Sequence, residues 1–163
     1  MEPRIKILKE RKLVGMFVSM SLAENKTFKL FSTFMPRRKE ILNSINNDVL
    51  DLIVYPKDYY LNFNPSNYFT KWALVEVSDI ENVPNEMEAF ILEGGKYAVF
   101  TQKGIYTDNN IFQYIFTKWL PNSDFIVDDR PHFDVLGEKY QQKVPGAEQE
   151  IWIPIKLKNK VSD

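Results

Sequence analysis

Alternating apolar side chains mark the strands of this chain. Over residues 12–22 every second residue from Val14 to Met20 is apolar, which is the period of a buried strand. The remaining predicted strands are 50–55, 69–77, 132–137 and 150–157. Residues 87–103 are predicted to form a hairpin, because Gly94 and Gly95 accept the positive φ angles of a tight turn.

Two segments with apolar residues at helical spacing predict the helices. The first spans 28–45, and Pro36 is expected to kink or restart it, because proline lacks a backbone donor and clashes with the preceding turn. The second has Asp108 or Asn109 as its N-cap and ends before Pro121. The apolar stripe of this second helix is Phe112, Ile115, Phe116 and Trp119.

The predicted elements repeat along the chain. Each half runs strand, helix, strand, strand, and the segments LVGMFVSM and KYAVFTQK occupy the same place before a helix. Residues 1–80 and 86–160 are therefore predicted to be pseudo-repeats, although α+β sheets also repeat their elements without any duplication. With 163 residues the chain is expected to form one domain, 1–163, of the α+β class.

Aromatic residues make up 14% of the chain, which is more than a minimal core requires. Rings that carry a polar tip are typical of ligand sites. Several rings fall in the polar loop YPKDYYLNFNPSNYF, residues 55–69, which contains Tyr59 and Tyr68. This loop is either a lid over a ligand or a cover for the edge of the core, and the sequence favours neither interpretation.

The charges argue against several classes of partner. The 21 basic and 22 acidic residues are interspersed, so direct nucleic acid binding is not expected. No segment approaches the roughly 18 apolar residues that span a bilayer, and the start lacks the apolar stretch of a signal peptide. We therefore expect a cytoplasmic protein without a membrane partner. The absence of cysteine excludes disulfides and thiolate chemistry.

A candidate binding site follows from the alternation in the last strand. The isoleucines at 151, 153 and 155 should face the helices, which places Glu150 and Trp152 together on the opposite side of the sheet. A carboxylate beside a ring attracts cations, most strongly where water is excluded. The simpler alternative is an acid on the solvent face of a sheet, which is commonplace.

The strand 69–77 repeats this arrangement in the first half. Trp72 and Glu76 share one face, and Glu76 either lines the same cleft or pairs with a surface lysine such as Lys71. Tyr97 either places its hydroxyl in the cleft or packs in the core.

Motifs for catalysis are few. His132 is the only imidazole, and no nucleophile elbow accompanies it. The chain has no phosphate-binding glycine loop and no metal-ligand spacing, so neither a cofactor nor a metal is expected. Hydrolysis by a carboxylate, with Glu150 activating water and Tyr97 assisting, would need the same residues as a binding pocket.

Blocks of sequence from Trp72 onward resemble the GyrI-like effector-binding superfamily. In order, these blocks are WALVEV, IENVPNEMEAFILEGGKYAVFTQKG, IFQYIFTKWLPNSDFIVDDRPHFDVL and EQEIWIPIK. The superfamily includes the ligand domains of AraC- and MerR-type transcription regulators, the DNA gyrase inhibitory protein and some small hydrolases. The resemblance implies duplicated βαββ units of the SHS2 type, with curved antiparallel sheets, two main helices on one side and a central ligand cleft.

The resemblance also implies a function. Relatives bind amphipathic, often cationic compounds through aromatics and a last-strand glutamate, the position of Glu150 here. Tyr97 matches the strand YAVF of the family. The other residues in regions that line the pocket in relatives are Trp72, Tyr59, Tyr68 and Trp152.

Because the first strand begins close to Met1, we expect a stand-alone domain that senses or sequesters small lipophilic, cationic molecules. Two alternatives stay open. One is a small hydrolase of electrophilic xenobiotics that uses Glu150 and Tyr97. The other is a gyrase-inhibitor-like module that binds a protein partner, for which the superfamily supplies the only argument.

Overall fold

The computed structural model describes residues 2–103 and 109–159, which form nine strands and three α-helices. In chain order these elements are β1 Arg4–Leu8, β2 Arg11–Met20, α1 Thr27–Phe34, β3 Val49–Val54, β4 Phe69–Glu76, β5 Glu88–Leu92, β6 Gly95–Lys103, α2 Asn109–Tyr114, β7 Phe125–Val127, β8 His132–Leu136, α3 Glu138–Gln141 and β9 Glu148–Leu157. A 3₁₀ turn over Met35–Glu40 continues α1, and a π-helical turn over Ile115–Trp119 continues α2.

The strands pair antiparallel into one curved sheet with the order β1-β6-β9-β8-β3-β4-β2-β5, and β7 pairs with β9. This confirms the predicted α+β class. The strand order is symmetric about its middle, so that each strand of the first half has a counterpart in the second half. The corresponding strands are β1 and β5, β2 and β6, β3 and β8, and β4 and β9. Descent of the halves from one duplicated unit stays a prediction.

The predicted hairpin over 87–103 is wrong, because β5 and β6 do not pair with each other. β5 pairs with β2, whereas β6 pairs with β1 and β9. The two strands leave their glycine turn toward opposite edges of the sheet. At this crossing a Cβ on Gly94 would lie 2.4 Å from the Leu8 carbonyl oxygen, and Gly95 has a φ of 148°.

The helices follow the predicted patterns with one exception. The α-helical hydrogen bonding of α1 gives way to the 3₁₀ turn beside Pro36, as predicted, because proline offers no backbone donor. Leu42 and Ile45 lie beyond the end of this turn and are exposed, so they do not extend the apolar stripe. Asp108 lies outside the described residues. No helix among the described residues is long and apolar enough to cross a membrane.

The helices α1 and α2 pack on the same face of the sheet, which we call the helix face. α1 covers its first-half part, where Leu30 and Phe34 contact a core that includes Ala73. α2 and its π-turn cover the second-half part, where Ile115 packs with Ile151. Residues that lie directly opposite one another on neighbouring strands form one row across the helix face. In order, this row is Met16, Ala73, Asp51, Asp134, Ile151 and Phe100. The middle of this row lies between the two helix-covered cores.

The opposite face of the sheet packs on itself. Its curvature brings both halves together into one core that includes Leu13, Leu52, Trp72, Tyr97, Phe133 and Trp152. The ring of Trp152 stacks on Phe133 at a centroid distance of 5.1 Å. The aromatic rings of this core therefore pack against one another.

Candidate ligand-binding cleft

The middle of the helix face is a cleft of about 500 Å³. Strands β3, β8 and β9 supply its floor, and the second helix supplies a wall. The lining residues are Leu22, Asp51, Ile53, Tyr55, Tyr60, Lys71, Phe112, Phe116, His132, Phe133, Asp134, Ile151, Trp152 and Ile153. A second depression of about 500 Å³ begins at Asp51 and extends past Phe28 and Phe31 of α1. Volumes of this order hold drug-sized ligands.

Two aspartates face each other at the centre of this cleft. Asp51 and Asp134 are directly opposite residues of the antiparallel strands β3 and β8. Lys71 lies beside Asp51, and its Nζ donates hydrogen bonds to Asp51 Oδ2 at 3.3 Å and to Thr27 Oγ1 at 3.1 Å. Burial raises the pKa of Asp51, and the Lys71 ammonium opposes this shift.

Asp134 differs from Asp51 because it lacks a cation of its own. Among the side chains that the structure describes, those of residues 2–103 and 111–159, none donates a hydrogen bond to Asp134 or forms an ion pair with it. Burial, together with the neighbouring charge of Asp51, raises the pKa of Asp134 to about 8, and Lys71 opposes only part of this shift. A partly buried carboxyl without a partner is costly to ionise. The cleft therefore presents one acid that an incoming positive charge would neutralise.

Aromatic side chains surround the two acids. Phe112 and Phe116 of the second helix line one side. On the other side the ring of Tyr55 lies 5.1 Å from the rings of both Tyr60 and His132. Burial lowers the pKa of His132 to about 4, so this imidazole is neutral at neutral pH and adds no positive charge to the cleft.

The structure places the predicted acid Glu150 on the opposite face of the sheet. Its Oε2 accepts a hydrogen bond from Arg4 at 2.7 Å, and its Oε1 accepts one from the Trp152 indole at 3.1 Å. Burial alone would raise the pKa of Glu150, but these two donors hold the pKa below its usual value. Glu150 is therefore an ion-paired carboxylate outside the cleft, and its role in ligand binding stays a prediction.

Three further predicted residues lie in the core of the opposite face or at its rim. Trp72 and Tyr97 are buried there, and the Tyr97 hydroxyl donates to the Pro131 carbonyl at 2.7 Å. Burial raises the pKa of Tyr97 to about 12. Glu76 lies 3.7 Å from Arg11, so it pairs with this arginine and not with Lys71.

The remaining predicted residues divide between the cleft, its surroundings and the surface. Trp152 is among the residues that line the cleft, although its ring packs in the opposite core. Tyr59 is buried against Phe69 and borders a neighbouring pocket that Tyr60 also lines. Tyr68 is half-exposed, and its hydroxyl donates to Glu24.

Sequence reasoning missed both aspartates of the cleft, although the sequence carries a signal for them. Asp51 interrupts the apolar strand VLDLIV, and Asp134 interrupts HFDVL. An acid in the middle of an apolar strand is rare unless the position is paired or functional. The same interruption occurs in corresponding strands of the two halves.

The comparison that decides the family is with a family model. The model described as Cass2, integron-associated effector binding protein, matches residues 4–155. This chain belongs to the Cass2 family. The match begins at the first residue of β1, ends two residues before the end of β9 and includes both aspartates of the cleft. No curated protein sequence matches the chain significantly.

Solved structures share the fold of this Cass2 member. A protein from Staphylococcus aureus described as a putative bacterial transcription regulation protein is 17% identical, with 96% of this chain and 99% of that one covered and a TM-score of 0.67. SAV2435 bound to tetraphenylphosphonium is 16% identical over 96% and 94%, with a TM-score of 0.66. The EcmrR C-terminal domain is 10% identical over 96% and 98%, with a TM-score of 0.69.

Proposed function

We propose that this chain binds small lipophilic cations in the cleft of the helix face, with Asp134 as the countercharge. The observation that carries the proposal is a carboxyl in an aromatic cleft that has no hydrogen-bond or ion-pair partner among the described side chains. A cation at this point would stabilise the ionised carboxyl, whose charge burial disfavours and Lys71 offsets only in part. The rings of Phe112 and Phe116 supply apolar contact and an attractive quadrupole for the same ligand.

The comparisons support this function at two levels. The Cass2 family is described as effector binding. SAV2435, which shares the fold, is bound to tetraphenylphosphonium, a lipophilic cation without a hydrogen-bond donor. A ligand of that kind is held by charge and apolar contact alone, and the cleft around Asp134 offers both.

The experiment is a titration of the purified protein with tetraphenylphosphonium. Asp134→Asn should weaken binding by roughly tenfold to a hundredfold, because one hydrogen-bonded or paired charge contributes about 1.5–3 kcal/mol. Glu150→Gln removes the same charge from the opposite face and is the matched control, with unchanged affinity expected. Tetraphenylborate has the same shape and the opposite charge, and it should not bind.

Two outcomes would refute the proposal. The first is an Asp134→Asn protein that binds tetraphenylphosphonium as tightly as the parent. The second is loss of binding in Glu150→Gln alone, which would instead support the predicted last-strand glutamate.

No structural observation favours the two alternatives. The hydrolase hypothesis needs Glu150 and Tyr97 around one substrate, whereas the Tyr97 side chain is fully buried and its hydroxyl is bonded to a carbonyl. Binding to gyrase stays a prediction, and a supercoiling assay with the purified protein tests it.

A further inference from the structure

The two halves of the cleft differ at one pair of corresponding positions. In the first half, Lys71 of β4 lies two residues before Ala73, which is the residue opposite Asp51. In the second half, residue 149 of β9 lies two residues before Ile151, which is the residue opposite Asp134. Lys71 and Gln149 are therefore equivalent in register, each diagonal to the aspartate of its own half.

A diagonal neighbour in an antiparallel sheet lies within reach of a long side chain. Lys71 uses this reach, since its Nζ lies 3.3 Å from Asp51 Oδ2. Gln149 carries no charge and is buried, and its Nε2 donates to Gln102 Oε1 at 3.1 Å. The half with the lysine contains an ion pair, and the half with the glutamine leaves its acid exposed to the cleft.

The charge count of the cleft follows from this difference. When both aspartates are ionised they carry two negative charges, and Lys71 supplies one positive charge. His132 is neutral because burial lowers its pKa to about 4. One negative charge remains, and it belongs to the side of the cleft that Phe112 and Phe116 cover.

We propose that Lys71 is a specificity residue that restricts the cleft to ligands with a single positive charge and directs that charge to Asp134. This inference rests on the proposed function of cation binding. A second positive group on a ligand that spans the cleft would meet the Lys71 ammonium, which is fixed by Asp51 and Thr27. Two positive charges that share one partly buried cleft repel each other more strongly than they would in water.

Two ring cations of nearly the same size test the charge rule. N-methyl-phenylpyridinium carries one positive charge, and methyl viologen carries two on an equivalent two-ring frame. Titrations are made about one pH unit above the pKa of Asp134, where its carboxyl is mostly ionised. The parent protein should prefer the monocation by roughly tenfold or more.

Substitutions at the two equivalent positions, 71 and 149, then test how each residue affects the binding of the two cations. Lys71→Met leaves Asp51 without its cation, so the preference for the monocation should disappear through a gain in methyl viologen affinity. Gln149→Lys supplies an internal cation to Asp134, so both probes should bind roughly tenfold more weakly or not at all. Gln149→Met is the matched control for loss of the glutamine contact, and it should bind like the parent.

The outcomes distinguish this inference from the proposed function. If Asp134→Asn lowers the affinity for the monocation but Lys71→Met leaves the ratio of the two affinities unchanged, only the role of Lys71 is wrong. Parental affinity in Gln149→Lys contradicts the equivalence of the two positions. If Gln149→Lys does not fold, the Lys71→Met ratio decides alone. A parent protein that binds neither probe contradicts the proposed function and this inference together.

Discussion

Cation binding to this cleft should release a proton. In the protein without a ligand, Asp134 has a pKa of about 8. At pH 7 its carboxyl is therefore ionised in only about one molecule in ten, and at pH 6 in about one in a hundred. A cation binds the ionised form, so binding lowers the pKa and displaces the proton. The apparent affinity should therefore rise about tenfold per pH unit below 8 and become constant above it.

Calorimetry measures this proton directly. At pH 7 the binding enthalpy for tetraphenylphosphonium is recorded in phosphate and in Tris, whose ionisation enthalpies differ. The difference in observed enthalpy should correspond to about 0.9 proton released per cation bound. His132 does not contribute in this range, because its pKa is about 4.

The control for this experiment is Asp134→Asn, which should show neither proton release nor a change in affinity between about pH 6 and pH 8. Glu150→Gln should behave like the parent, since the pKa of Glu150 lies below the usual value for a glutamate. An affinity of the parent that is constant across this range would refute the reasoning, as would binding without proton release.

Three further predictions concern stability and the walls of the cleft. Because the pKa of Asp134 is raised in the folded state, the free energy of unfolding should fall as the pH rises from about 4 to about 8, by at most about 6 kcal/mol, and urea unfolding of Asp134→Asn should lack this fall. Phe116→Ala should weaken tetraphenylphosphonium binding by roughly tenfold through lost apolar contact, as measured by calorimetry. Tyr97→Phe should cost about 1 kcal/mol in urea unfolding, because the Pro131 carbonyl loses its donor, and should leave cation affinity unchanged.

Local periodicity predicted most elements of the fold. Three features depend only on residues close together in the chain, so they could be predicted from the sequence. They are the alternation of β2, the apolar stripe of the second helix and the effect of Pro36. The partners of β5 and β6 do not follow from local pattern. A glycine pair between two strands favours a hairpin, but here β5 is the edge strand at one end of the sheet and β6 lies next to the edge strand at the other end.

The side of the sheet that holds the cleft was not predictable from alternation. The isoleucines of β9 do face the second helix, as expected. The two helices, however, cover only the outer parts of the helix face, and the middle stays open around Asp51 and Asp134. The opposite face, where the sequence favoured a cleft beside Trp152, is closed by packing between the halves. That closure depends on the curvature of the whole sheet.

The position of a bound cation is the most direct test of this account. In a crystal structure of this chain with tetraphenylphosphonium, the phosphorus should lie within about 6 Å of the Asp134 carboxyl, on the side covered by Phe112 and Phe116. A cation on the opposite face beside Glu150, or one in the depression along α1 away from Asp134, would contradict it.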